Sequence, residues 1–250
     1  MRGGEGTAAR PDGRGPRALR PVEILSPFFR RAEGSASIRM GNTWVVCAAT
    51  VDPKLPHWLR GKGRGWITAE YGLLPRSVSE RLGRNRTSGR IFEIQRLVGR
   101  SLRAVADLKL LGERQIIIDC DVIEADGGTR TAAVTAAYVA LHQACRGLWE
   151  SKAIARFPLK DQVAAVSVGL RKGEILLDLS EEEDQSADVD FNVVMTAAGE
   201  FVEVQGTAEG RPFSGSELTA LVRRAAAGIR RLHKAQARAL PWIRPGDRPS

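Results

Sequence analysis

"DCDVIEADGGTRTAAVTAAYVAL" (residues 119–141) joins a β-strand to an α-helix through two glycines, and this junction decides the fold prediction. Apolar side chains alternate between two sides over residues 115–125, which is typical of a strand. Beyond Gly127 and Gly128, apolar residues recur at helical spacing from about Thr129 onward. The pattern therefore predicts a tight turn at which the first backbone N–H groups of a helix point outward.

This turn has the composition of an anion-binding site. Glycine lets the backbone come close to a ligand, and a helix N-terminus presents unpaired N–H groups at the positive end of its dipole. Arg130 adds a guanidinium, which can donate two parallel hydrogen bonds to phosphate oxygens. The alternative is a plain strand-to-helix turn with a solvated arginine, and the residues alone leave both interpretations open. The chain contains no G-x-x-x-x-G-K-[ST] motif, so the turn is not a P-loop.

The charge balance favours a polyanionic partner. The chain has 38 Lys and Arg against 29 Asp and Glu, a formal net charge of +9. A genome that prefers arginine is the alternative explanation for this excess. Cys47, Cys120 and Cys145 lie in apolar segments and are odd in number, which predicts reduced thiols in a cytoplasmic protein. Because no apolar run approaches the ~18–20 residues that cross a bilayer, we expect no membrane association.

Strand and helix patterns alternate along the chain. Residues 35–51 predict a hairpin with its turn at residues 41–42, and residues 52–89 read as a long irregular connection. Long connections in compact domains are usually functional. A helix is expected from Arg90, with its stop at Gly112. Hairpins followed by helices, twice over, predict an α+β fold with helices packed on mixed β-sheets.

The domain organisation follows from composition. Residues 1–18 are rich in Arg, Gly and Pro and predict a flexible basic N-terminal arm. The residues that follow could form one large domain or two small ones, and residues 241–250 form a C-terminal tail.

Two further segments carry candidate chemistry. Ser88 and Gly89 precede Arg90 at a helix start, so Arg90 is a second candidate anion donor. If residues 188–195 are extended, Asp188 and Asp190 project to one side, with Asp184 on the preceding loop. Converging carboxylates can bind Mg²⁺ or Mn²⁺, or one can transfer a proton. An acidic surface loop is the alternative reading.

Six long stretches together resemble the bacterial ribonuclease PH family, over about residues 19–240. They are "GWITAEYGLLPRS" (65–77), "GRIFEIQRLVGRSLRA" (89–104), "LGERQIIIDCDVIEADGGTRTAA" (111–133), "VAAVSVG" (163–169), "DVDFNVVMT" (188–196) and "VEVQGTAEGRPFS" (202–214). The resemblance implies a duplicated β-α unit of the ribosomal protein S5 domain 2 type. Residues 19–240 would then form a single domain of two pseudo-repeats, about 19–150 and 160–240. It also implies a homohexamer, a trimer of dimers, in which inorganic phosphate is the co-substrate. The implied reaction is reversible phosphorolysis of RNA, chiefly of precursor tRNA 3′ ends and also of other structured RNA such as rRNA, with release of nucleoside 5′-diphosphates.

The resemblance also assigns roles to individual residues. Asp184 and Asp190 are the implied catalytic pair, which binds Mg²⁺ (or Mn²⁺) or protonates the departing 3′ oxygen. The implied phosphate-binding residues are Arg90, Gly128, Thr129 and Arg130. The implied RNA-guiding residues are Arg76, Arg81, Arg84 and Arg86.

Two other functions compete with this one. A non-catalytic RNA-binding ring subunit would fit the same fold, although such subunits tend to lose the phosphate arginine or the acidic pair, and here both are present. A general basic nucleic-acid-binding module fits the net charge, but it leaves the two arginine-bearing turns and the acidic segment unexplained. It would bind with steep salt dependence and need no phosphate.

Overall fold

The computed structural model describes residues 10–84 and 87–240, which form two β-sheets with α-helices packed on them. The first sheet contains β1 (Val22–Leu25), β2 (Gly34–Met40), β3 (Thr43–Asp52), β4 (Trp66–Leu73) and β5 (Gln115–Glu124). The second contains β6 (Val163–Arg171), β7 (Glu174–Leu177), β8 (Val189–Thr196) and β9 (Phe201–Ala208). The helices are α1 (Gly89–Ala104), α2 (Thr129–Glu150), α3 (Glu181–Gln185) and α4 (Gly215–Ala239). The predicted α+β fold is confirmed.

The strand order follows from how neighbouring strands are connected. The first sheet runs β1-β2-β3-β5-β4, and only the β4–β5 pair within it is parallel. Parallel strands need a crossover, and α1 supplies it between β4 and β5. The second sheet runs β7-β6-β8-β9 and is antiparallel at each pair. Its first hairpin turns at Lys172 and Gly173, both with positive φ, as tight hairpins require.

Helix α2 lies between the two sheets and is buried over most of its length. It contacts β2 and β3 on one side and β6 on the other. Alanines give it a thin cross-section, so both sheets can approach closely. At Gly34 the approach leaves no room for a side chain, because a Cβ there would lie 2.0 Å from the Ala140 carbonyl oxygen. The N-terminus of α2, at Thr129, therefore opens where the two sheets meet.

The outer helices are amphipathic, as their sequence patterns predict. In α1 the expected stripe, including Ile94 and Leu102, is buried against β4, although the helix ends at Ala104 rather than continuing to Gly112. In α4 a capping box at Ser214 fixes the first turn. None of the helices in the described chain is long and apolar enough to cross a membrane.

Strand β4 lies inside residues 52–89, which the sequence pattern had assigned to an irregular connection. That assignment is wrong over residues 66–73. Ile67, Ala69 and Tyr71 alternate on the buried side of the strand, and the residues between them are more exposed. Strand β4 pairs with β5, which follows α1 in the sequence, so no local hairpin signal marks β4.

The N-terminal segment is packed against the second sheet from Arg10 onward. Arg10 is buried, and its Nε and Nη2 donate to the two carboxylate oxygens of Glu183 at 2.6 and 2.7 Å. Its guanidinium also donates to the carbonyl oxygens of Leu177 and Asp178 at 2.9 and 2.8 Å. The prediction of a flexible arm is therefore wrong over residues 10–18. Residues 1–9 and the predicted tail 241–250 lie outside the described residues.

Replacing Arg10 with Met should lower the free energy of unfolding by about 3–5 kcal/mol, because the buried Glu183 carboxylate would lose its two hydrogen bonds from Arg10 and keep the longer ion pair with Arg14 at 3.6 Å. Urea denaturation at pH 7 measures the change. Burial alone would raise the pKa of Glu183, but the hydrogen bonds from Arg10 and from the Ser180 backbone outweigh burial and lower it. The loss of unfolding free energy should therefore become smaller as the pH falls through the pKa of Glu183, because the protonated carboxyl carries no charge for Arg10 to pair with. The exposed Arg39→Met variant is the control; equal stability of the two variants would contradict the expectation.

Candidate active site

A cleft of about 370 Å³ opens where the N-terminus of α2 meets the start of α1, α3 and β8. The structure brings six of the residues implied by the resemblance to this one cleft, from four separate elements. They are Arg90, Gly128, Thr129, Arg130, Asp184 and Asp190. Cationic donors and acidic groups thus line a single cavity.

The glycine turn adopts a backbone conformation that L-amino acids with side chains rarely adopt. Gly127 and Gly128 have φ values of +72° and +66°. A Cβ at Gly127 would lie 2.5 Å from the carbonyl oxygen of Leu179, so this position also lacks space. Gly128 is the N-cap of α2, and no side chain within the described chain caps that helix end. The first N–H groups of α2 are therefore left for a ligand.

Polar contacts behind the turn hold its carbonyl groups away from the cleft. Thr43 Oγ1 donates to the Gly127 carbonyl oxygen at 2.6 Å, and the Arg20 guanidinium donates to the Asp126 and Gly127 carbonyls. Arg20 is itself buried and paired with Asp178, with Nη2 2.7 Å from Oδ1. Burial would lower the pKa of Arg20, but its hydrogen bond to Asp178 raises it, so the guanidinium stays charged. The turn is therefore fixed with its N–H groups facing the cleft.

Tyr71 on β4 orients the Thr129 hydroxyl. The Tyr71 hydroxyl donates to Thr129 Oγ1 at 2.9 Å, and burial raises the pKa of the phenol, which keeps its proton. Because Thr129 Oγ1 accepts this bond, its own hydrogen is free to donate to an acceptor in the cleft. Sequence reasoning missed Tyr71, because it missed the strand that carries it.

The two arginines differ in how they are held. Arg90 is exposed at the first turn of α1 and makes no hydrogen bond or ion pair within residues 10–84 and 87–240. Arg130 is held by Gln205 and Glu93, at 3.0 and 3.3 Å from its Nη1. Both guanidiniums lower the pKa of the same carboxyl, that of Asp184, so their positive fields overlap in the cleft.

The acidic pair consists of Asp184 on α3 and Asp190 on β8. Burial raises the pKa of Asp184, and Arg90 and Arg130 oppose that rise. Burial also raises the pKa of Asp190, and the negative charges of Asp184 and Glu209 add to the rise. The cleft therefore favours a protonated or cation-bound form of this pair.

Two sequence-based expectations about the acidic segment need correction. Asp184 was expected on a loop, but it lies on the short helix α3, which a capping box starts at Ser180. Asp188 was expected beside Asp190, but it does not line the cleft. Its Oδ2 accepts from the Lys172 backbone N–H at 3.0 Å instead, at the hairpin between β6 and β7.

Three of the expected RNA-guiding arginines, Arg76, Arg81 and Arg84, do not line the cleft. Arg84 lines an adjoining cavity of about 210 Å³, which shares Leu82 with the main cleft. Arg76 and Arg81 are exposed, and Arg76 donates to the Ser79 carbonyl oxygen at 2.8 Å. Arg86 lies outside the described residues.

Metal binding in this cleft rests on the carboxylate pair alone. The described residues contain no group of three or more His, Cys, Asp or Glu side chains that could hold a metal ion. Two carboxylates still suit Mg²⁺, which keeps several waters and is commonly completed by substrate phosphate oxygens. Asp184 and Asp190 thus fit such an ion, provided that the substrate contributes ligands.

Two arginines and a helix N-terminus share one cleft with an acidic pair, between two sheet-and-helix halves. This combination defines the class: an enzyme that handles phosphate groups. Family models described as "3' exoribonuclease family, domain 1" and "domain 2" match residues 18–146 and 161–228. The chain belongs to the 3′ exoribonuclease family. It is a phosphate-dependent 3′–5′ exoribonuclease, and the expected resemblance to ribonuclease PH is confirmed.

Individual relatives agree with this membership. Ribonuclease PH of Moorella thermoacetica is 55% identical over 235 residues, which cover 92% of this chain and 94% of that protein. Among solved structures, an Archaeoglobus fulgidus exosome with RNA bound to the active site gives a TM-score of 0.77 at 24% identity, covering 90% of this chain and 91% of the other. An archaeal exosome core gives 0.72 at 24% identity, with 90% of each chain covered. At these identities the two structures support the fold.

Replacing Asp190 with Asn should leave the melting temperature at pH 7 equal to or above that of the wild type. Folding raises the pKa of this carboxyl, so its ionised form destabilises the folded state at neutral pH. Below the ordinary value of 3.8 both states are protonated, and the difference should vanish. Thermal denaturation in EDTA at pH 7 and pH 3.5 measures both effects.

Asp52→Asn is the control, for which the melting temperature at pH 7 should fall. Hydrogen bonds from the Lys54 backbone and the Gln115 side chain lower the pKa of Asp52, so its carboxylate favours folding. A lower melting temperature for Asp190→Asn than for Asp52→Asn at pH 7 would contradict this account of the cleft.

Proposed function

We propose that the protein trims the 3′ end of precursor tRNA, and of other structured RNA such as rRNA, by phosphorolysis in this cleft. The observation that supports the proposal is that Arg90, Arg130 and the first turn of α2 line the same cavity as Asp184 and Asp190. A phosphate nucleophile and a phosphodiester both carry negative charge, so their encounter needs fixed positive groups beside a group that stabilises the departing oxygen.

Inorganic phosphate is bound by the two guanidiniums, the Thr129 hydroxyl and the N–H groups at the start of α2. An oxygen of this phosphate attacks the phosphorus of the last phosphodiester. A new P–O bond forms, and the bond to the preceding 3′ oxygen breaks. The 3′ oxygen takes up a proton, and the terminal nucleotide leaves as a nucleoside 5′-diphosphate. Because one phosphate linkage replaces another, the reaction runs in both directions.

The acidic pair acts on the departing 3′ oxygen. Asp184 and Asp190 are the residues that would hold Mg²⁺ (or Mn²⁺), which when bound would offset charge on the reacting phosphates. The raised pKa of Asp190 also suits it to donate the proton directly. The Mg²⁺ dependence of the Asp190→Asn variant separates the two roles. If a higher Mg²⁺ concentration restores its activity, the substitution has removed a metal ligand. If the variant stays inactive, the substitution has removed the proton donor.

RNA reaches the cleft past Arg76, Arg81, Arg84 and Arg86, and six subunits assemble as a trimer of dimers. The similarity in fold to chains of archaeal exosome assemblies supports the ring. Exposed Phe92 on α1 and Phe201 on β9 offer apolar surface that a neighbouring subunit can cover. The buried free cysteines support a cytoplasmic location. The competing function of a non-catalytic ring subunit leaves the retained arginines and acidic pair without a role.

RNA shortening should stop when inorganic phosphate is withheld and should resume when it is added. A precursor tRNA with a labelled 3′-terminal nucleotide, followed by chromatography of the released label, measures both rate and product. The product should be a nucleoside 5′-diphosphate, since a phosphate oxygen attacks. Release of monophosphate without added phosphate would identify hydrolysis and would contradict the proposal.

Replacing Arg130 with Ala should raise the apparent KM for phosphate about 10- to 100-fold, the loss expected for a hydrogen bond to a charged group. The KM for RNA should stay within about twofold, because this guanidinium contacts the nucleophile and not the RNA chain. Arg100→Ala is the matched control, since Arg100 forms an ion pair with Glu203 and does not line the cleft. Equal loss of phosphate and RNA affinity would contradict the assigned role of Arg130.

A further inference from the structure

Arg130 belongs to a closed set of three hydrogen-bonded side chains from three different elements. Its Nη1 donates to Gln205 Oε1 on β9 at 3.0 Å and lies 3.3 Å from Glu93 Oε1 on α1. Gln205 Nε2 in turn donates to the same Glu93 oxygen at 2.6 Å. Each of the three side chains therefore contacts the other two.

The contacts occupy one nitrogen of the guanidinium. Both Glu93 and Gln205 bind Nη1, and within residues 10–84 and 87–240 neither Nε nor Nη2 of Arg130 has a hydrogen-bond partner. The guanidinium is a rigid planar fork, so fixing one nitrogen restricts the directions of the remaining N–H groups. Arg130 and Asp184 line the same cleft, and the positive charge of Arg130 opposes the rise in the pKa of Asp184.

Glu93 has a second effect, on the orientation of the Gln205 amide. A Gln amide can present its oxygen or its nitrogen to a neighbour, and only the oxygen can accept from an arginine. Because the Glu93 carboxylate accepts from Gln205 Nε2, the amide is turned with its oxygen toward Arg130. The side chain of Glu93 is 48% exposed, so solvent screens its charge while the hydrogen bond still sets the geometry.

We propose that Glu93 and Gln205 are positioning residues for phosphorolysis, which hold Nη1 of Arg130 so that its other N–H groups meet the phosphate nucleophile. This inference rests on the proposed phosphate-binding role of Arg130. A free arginine would have to lose its side-chain rotational freedom whenever phosphate binds. Glu93 lies on α1 in the first sheet-and-helix half, and Gln205 lies on β9 in the second. The geometry of the phosphate site therefore depends on contact between the two halves.

The test compares Glu93→Ala, Gln205→Ala and Glu93→Gln in the full-length protein. The two alanine variants should raise the apparent KM for phosphate about 3- to 10-fold, the loss of roughly one hydrogen bond, with little change in the KM for RNA. Glu93→Gln should recover most of this loss, because its amide oxygen still accepts from Gln205. No change in the phosphate KM for either alanine variant would overturn the inference.

A matched control separates positioning from simple docking of β9 on α1. Glu203→Gln breaks the 2.8 Å ion pair between Arg100 and Glu203, which joins the same two elements without touching Arg130. This control should leave the phosphate KM within about twofold, as expected for an exposed ion pair. An increase equal to that of Glu93→Ala would assign the effect to docking and overturn the inference.

A double-mutant cycle separates this inference from the proposed function. In an Arg130→Ala background, the Glu93 and Gln205 substitutions should cause no further rise in the phosphate KM, because they act through Arg130. A further rise of the same size would overturn the positioning role. If Arg130→Ala itself leaves the phosphate KM unchanged, the proposed phosphate site fails instead.

Discussion

A buried contact between Arg20 and Asp178 joins the two halves of the molecule at the point where the cleft forms. Arg20 precedes β1, and Asp178 follows β7 in the second sheet. The same guanidinium donates to the carbonyls of Asp126 and Gly127, immediately before α2. One cation therefore fixes the glycine turn against the segment that leads into α3. An unpaired charge at this depth would cost several kcal/mol, so the contact specifies one arrangement of the halves.

This arrangement sets the electrostatics of the cleft. Arginines and a helix N-terminus supply positive charge to the cleft, which also contains two carboxyls with raised pKa values. The raised pKa values are a cost to folding at neutral pH, which agrees with the catalytic role proposed for this pair. Glu183, one residue before Asp184, has the opposite shift, because Arg10 binds it tightly. Neighbouring acidic residues on one short helix thus have opposite pKa shifts, since Glu183 is paired with Arg10 and Asp184 lines the cleft.

Much of the fold could be predicted where the signal is local. The strand over residues 115–124, the glycine turn and the helix that follows lie together in the sequence, and their pattern gave the correct order. Arg10 could not be predicted, because its partner Glu183 is 173 residues away and its own surroundings have the composition of a disordered arm. Strand β4 and its Tyr71 were missed for a related reason, since parallel pairing across a helix leaves no hairpin signal.

The residues of the candidate site also divide into those that the sequence could predict and those that it could not. The resemblance supplied the six residues that line the cleft, and the physical pattern of Gly, Thr and Arg before a helix supplied a reason for one part of it. The contacts that orient those residues were not accessible from the sequence. Glu93 and Gln205 lie 112 residues apart, and nothing in either local segment indicates that they meet at Arg130.

Helix α2 packs against both sheets, with one sheet on each side, and its alanines are almost fully buried. A fragment that stopped after this helix would expose to water the face of α2 that normally contacts β6. A fragment that began at β6 would keep α4 on its sheet but would lose the contact between β6 and α2. The two sheet-and-helix halves therefore share α2 as part of their apolar cores, so the buried surface of each half depends on the other.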